Sequence, residues 1–100
     1  MYIRIDGHLS RIPHRDILYV EGNDEGVAFH TQQEVLHSEM GIRDAAEKLQ
    51  DSHFLKINRS HIVNLKVVTE VKETSVHLPG KVIAISRARR PVLMRHLNLL

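Results

Sequence analysis

Most apolar residues in this sequence fall in short runs rich in Val and Ile, separated by turn-forming residues. A chain built this way cannot close as a helix bundle. Each short strand needs a neighbour to satisfy its backbone polar groups, so the runs must be assembled into sheets. "YIRIDGHLSRI" is two alternating runs around Asp6-Gly7, a pair suited to the positive φ angles of a type I′ hairpin turn. Pro13 ends the second run, and "DILYVEG" reads as a buried strand over Ile17 to Glu21. "GNDEG" reads as a loop, and "VAFHT" and "EVLHS" as strands around Gln32-Gln33. Further on, "FLKIN", "KVVTEVK", "TSVHL" and "KVIAIS" are β-rich, with Pro79-Gly80 as a turn between the last two.

The period changes in "GIRDAAEKLQDS", where Ile42, Ala45, Ala46 and Leu49 form one helical stripe. This predicts a short helix over about residues 42–50. Leu93, Leu97 and Leu100 allow a second stripe at the C-terminus, with Pro91 tolerated in its first turn. The expected fold is therefore mostly β, with many short strands, one short central helix and a C-terminal segment compatible with a second. With 100 residues and no internal repeat or linker, a single domain over 1–100 is expected.

The absence of cysteine removes disulfides, thiolate metal sites and thiol catalysis, and it suits a cytoplasmic setting. No apolar run approaches the ~20 residues that cross a bilayer, so a membrane protein is not expected. The eight histidines contain no His-x-x-x-His pair, the glycines match no nucleotide-binding fingerprint, and no serine sits in a nucleophile elbow. No enzyme activity, metal or cofactor is expected.

Charge is unevenly placed. Residues 1–51 hold five Lys/Arg and ten Asp/Glu, whereas residues 52–100 hold nine Lys/Arg and only Glu70 and Glu73 as acids. A basic half of this kind suits a polyanionic partner. Arg59 follows the "FLKIN" run, and Arg87 follows "KVIAIS" with Arg89 and Arg90 close behind. Strand-end loops project side chains from a rigid scaffold, and an Arg fork can bond guanine N7 and O6 or grip a phosphate. Only Tyr2, Tyr19, Phe29 and Phe54 are aromatic, too few for a base-stacking platform, so duplex DNA is favoured over single strands. In "INRSHIVNL", Ile57, Ile62, Val63 and Leu65 read as core anchors. Ser60 and Asn64 read as capping or turn residues that hold Arg59 outward. A small β adaptor binding an acidic protein or membrane surface is the alternative from another class.

In order, "DILYVEG", "VAFHT", "IRDAAEKL", "HFLKINRSHIVNL" and "KVIAISRARR" resemble the LytTR (LytR/AlgR-type) DNA-binding domain, from about Ile3 to about Leu97. The resemblance implies about ten short strands in stacked antiparallel sheets, and a bacterial transcription regulator whose loops enter the grooves of duplex DNA at promoter direct repeats. It implies DNA contacts from the loop Gly22 to Gly26, including Asn23, from Asn58 and Arg59, and from Arg87, Arg89 and Arg90. It further implies self-association on DNA. An upstream receiver domain within a two-component, sensor-kinase system is expected, or else a stand-alone regulator. This sequence departs from the family pattern at Asn58, where histidine is common, at His61, where an aromatic is usual, and at Ala84, where proline is frequent.

Overall fold

In the computed structural model, residues 1–50 and 53–97 are described. The first hairpin joins β1 (Tyr2–Ile5) to β2 (His8–Arg11). Asp6 and Gly7 have φ of 49° and 81°, as the two-residue turn requires. A 3-10 turn at His14–Asp16, entered from Pro13, leads into β3 (Ile17–Asn23) and then β4 (Gly26–Thr31) and β5 (Val35–Ser38). The helix α1 (Ile42–Lys48) follows, with Leu49 capping its end. Next come β6 (Phe54–Asn58) and β7 (His61–Asn64), a 3-10 turn at Leu65–Val67, then β8 (Glu70–Val71), β9 (Ser75–Leu78) and β10 (Lys81–Ala84). The helix α2 (Arg90–His96) carries Pro91 in its first turn. Leu93 is fully buried and Leu97 packs against the same core, while Leu100 lies outside the described residues.

All pairing is antiparallel. β5-β4-β3-β7-β6 form a five-stranded sheet, β10-β9-β8 a three-stranded sheet, and β1-β2 a separate ribbon. The five-stranded sheet is covered on both faces. One face, through Ile17, Val20, Phe29, Phe54 and Ile62, packs against Ile3 and Ile5 of the ribbon and Ala45 and Leu49 of the helix. The other, through Tyr19, Leu55, Ile57 and Val63, packs against Val76, Leu78, Ile83, Ile85 and Leu93. Two-sided burial explains why "ILYV" and "IV" are continuous apolar runs rather than alternating ones. Each such side chain contributes roughly 1.5–3 kcal/mol when removed from water.

Three segments differ from the sequence expectation. The Gly22–Gly26 loop narrows to a two-residue turn at Asp24-Glu25, because β3 runs on to Asn23 and β4 starts at Gly26. "KVVTEVK" is not one strand. Leu65–Val67 wind into a 3-10 turn, stabilised where the Asn64 side chain accepts a bond from Lys66 N at 3.0 Å, and only Glu70–Val71 is extended. Conversely, "HIVN" is a full strand lying between β3 and β6.

Candidate nucleic-acid interface

Glu21 lies opposite His61 across β3 and β7, and Gly22 N donates to Ser60 O at 2.8 Å. Two turns therefore leave the same end of the central sheet. One, Asn23 to Gly26, is tied by Glu25 N donating to Asn23 Oδ1 at 2.7 Å. The other, Asn58 to His61, has Arg59 and Ser60 at its tip.

A two-residue hairpin normally needs positive φ at its tip. Arg59 and Ser60 have none; Asp6 is the non-glycine residue with that conformation among the described residues. The register instead shifts between Lys56 and Asn58, leaving Ile57 as an extra residue on β6. The Asn58 side chain completes the turn, with Oδ1 accepting from Ser60 N at 2.8 Å.

That irregularity has a use. The Ile57 carbonyl, released from the ladder, accepts from Ser86 N at 2.9 Å. Asn58 Nδ2 donates to Ala84 O at 2.7 Å, and Arg89 Nε donates to Lys56 O at 2.8 Å. Ile85, buried among the second core, donates its N–H to Thr74 O at 2.9 Å. The backbone is thus fixed up to Arg87, beside the Arg59 turn. Ser86 closes the segment by accepting Arg89 N on its hydroxyl and Arg90 N on its carbonyl.

The six residues singled out by sequence separate into two groups. Arg59 and Arg87 are exposed and have no intramolecular polar partner among the described residues. Asn23 is also exposed, with its oxygen committed to its own turn. Asn58, Arg89 and Arg90 are only partly exposed and bond to the protein. Arg90 spans Lys72 O and Glu73 O at 2.8 and 3.1 Å and lies 3.6 Å from the Glu73 carboxylate.

A family model for the LytTr DNA-binding domain matches residues 7–98. The chain belongs to the LytTR DNA-binding domain family. It is 33% identical over 67 residues to the transcriptional regulatory protein YpdB of Escherichia coli K12 and of Shigella flexneri. The match takes in 67% of this chain and 28% of each of those longer proteins. The fold is similar to a LytTr DNA-binding domain of a methyl-accepting/DNA response regulator from Bacillus cereus, with a TM-score of 0.78 and 15% identity over 99% of this chain and 96% of that one.

Beside the Arg59 turn of this LytTR domain lies a polar cluster that strand patterning alone did not single out. Glu21 Oε2 is 3.4 Å from His61 Nε2, and its Oε1 is 3.4 Å from His30 Nε2. The His30 contact lacks hydrogen-bond geometry and becomes an ion pair only when that ring is protonated. His30 stacks on Tyr19 at 4.1 Å, and Lys81 Nζ sits 5.7 Å from the Tyr19 ring. Burial holds both imidazoles below the ordinary histidine range despite the opposing pull of Glu21. Among the described residues no group of three or more His, Asp or Glu is placed to hold a metal ion.

Proposed function

We propose that this domain binds duplex DNA sequence-specifically through the end of the sheet where the Asn23 turn, the Arg59 turn and the 84–89 segment meet. The observation that carries the reading is the pairing of Arg59 and Arg87. Both are exposed, neither has an internal partner among the described residues, and the segments that carry them are joined by Asn58 Nδ2 donating to Ala84 O and Ser86 N donating to Ile57 O. Two guanidinium forks held in fixed relation can bond guanine edges or phosphates along one groove face. Asn23 reaches the same DNA from the neighbouring turn. Arg89 and Arg90 act chiefly as braces for the loops, since Arg89 Nε is engaged by Lys56 O and the Arg90 guanidinium by Lys72 O and Glu73.

The biological setting of the proposal is a cytoplasmic bacterial transcription regulator, its residues 1–100 forming one effector domain. It is served by a receiver domain and sensor kinase or acts as a stand-alone regulator. Paired copies on promoter direct repeats, self-associating on the DNA, would place two such interfaces in register. Among the described residues no helix is long and apolar enough to cross a membrane.

Selection of sites from a random duplex pool tests the reading. A preferred sequence that outcompetes an acidic polymer supports it. Equal competition by the polymer would favour the adaptor reading, in which the basic half binds an acidic surface.

A further inference from the structure

The Asn58 amide is oriented by its surroundings. Nδ2 faces the Ala84 carbonyl at 2.7 Å, so Oδ1 is the acceptor for Ser60 N at 2.8 Å. The same Oδ1 lies 3.1 Å from His61 Nδ1, which can approach it favourably only as a donor. The Ser60 hydroxyl, 3.3 Å from both Asn58 Oδ1 and that nitrogen, has one proton to give, to Oδ1 or, when the ring carries its proton on Nε2, to Nδ1 as acceptor. On its other side, His61 Nε2 stands 3.4 Å from Glu21 Oε2. A neutral ring cannot serve both neighbours: a proton on Nδ1 turns the Nε2 lone pair toward a carboxylate, and a proton on Nε2 gives up Asn58. Only the doubly protonated ring donates to Asn58 while presenting a positive N–H to Glu21.

We propose that His61 is a positioning residue for the DNA-reading loops, its Nδ1 steadying the Asn58 amide that joins the Arg59 turn to the Arg87 segment, with Glu21 setting which ring nitrogens carry a proton. This rests on the proposed DNA interface. The groups acting on the ring are Glu21 and Tyr19 from β3, His30 from β4 through the shared carboxylate, and Lys81 from β10. Glu21 favours the charged ring, while burial and Lys81 oppose it. His37 enters only through its effect on His30. Protonation tightens the local link Glu21–His61–Asn58 between the loops, even though burial makes the charged ring costly to the fold as a whole. General attraction of a histidine cation to DNA acts on every duplex alike, so it cancels in a ratio of affinities.

The test is anisotropy with two duplexes at one salt concentration, one selected by the wild-type chain from a random pool and one of random sequence. The wild-type ratio of affinities should rise ~3- to 10-fold from about pH 7.5 to about 5.5, the worth of roughly one hydrogen bond. His61→Phe keeps a ring but neither bond, so its ratio should be low and flat with pH. Glu21→Gln presents an amide that can donate to Nε2, which fixes the proton on Nδ1. Its ratio should be high and flat. A His61→Phe ratio and pH profile equal to wild type would overturn the inference. If that variant does not fold, a Glu21→Gln profile that still follows wild type overturns it instead. A wild type that selects no sequence at all removes the DNA-reading interface itself, an outcome distinct from a selective protein indifferent to His61.

Discussion

Asn58 Nδ2 donates to Ala84 O at 2.7 Å, a side-chain bond that joins two loops 26 residues apart in sequence. Asn58→Ala removes this bond and the cap on Ser60 N together. Thermal or denaturant unfolding should show a loss of about 1–2 kcal/mol, at roughly 1 kcal/mol per hydrogen bond. Preference for the selected duplex should fall while binding to random DNA changes little. Unchanged preference would mean that the two loops hold their relation without the clamp.

Gly26 begins β4 with φ of 142°, and a Cβ there would overlap the Ser38 carbonyl oxygen. Both the backbone angle and the neighbouring strand exclude a side chain. Gly26→Ala should cost about 2–3 kcal/mol in denaturant unfolding, the scale of a strained backbone position. Loss of pairing between β4 and β5 should appear as faster amide exchange along Val35–Ser38.

Asn64 is buried, donates to Ile17 O at 2.9 Å and accepts from Lys66 N at 3.0 Å. Asn64→Leu would strand both groups, and the expected destabilisation is about 1–3 kcal/mol for each unsatisfied partner. DNA preference, measured below the lowered melting temperature, should be retained, because these bonds brace the core end of β7 rather than its tip.

His14, His30 and His61 titrate below the ordinary value of 6.5 in the folded chain, each chiefly because burial disfavours the cation. Below that value the unfolded chain binds protons that the folded chain does not. Stability should therefore be flat above about pH 7 and fall as pH drops through 6.5 toward the lowered folded values, then level off. Urea midpoints across this range check the sign. A midpoint that rises on acidification would contradict it.

Much of the fold was legible because its determinants are local. Asp6-Gly7 announces its turn by the φ angles it needs, and Phe54–Asn58 by its apolar pattern. The neighbouring strand His61–Asn64 was obscured because its turn uses no glycine. An asparagine side chain and a bulge at Ile57 supply what positive φ would have supplied. "KVVTEVK" misled for a related reason, since Asn64 caps a tight turn where β-branched residues alone would favour a strand. The arginines show the deeper limit. Arg59, Arg87, Arg89 and Arg90 look alike along the chain, and only tertiary contacts from Lys56 and from Lys72-Glu73 separate the braces from the exposed pair. The Glu21–His61 contact, forty residues apart, likewise leaves no local pattern.

Arg59 and Arg87 are proposed to read DNA while Arg90 supports the scaffold. Binding of Arg59→Ala, Arg87→Ala and Arg90→Ala to the selected and the random duplex at one salt concentration tests it most directly. Arg59→Ala and Arg87→Ala should melt as wild type and lose about 1–3 kcal/mol on the selected duplex, with much less lost on random DNA. Lys at either position should restore random binding better than selective binding, because it keeps the charge and loses the fork. Arg90→Ala should melt lower and keep its preference. Normal melting of Arg59→Ala and Arg87→Ala with an unchanged ratio of selected to random affinity would contradict the account.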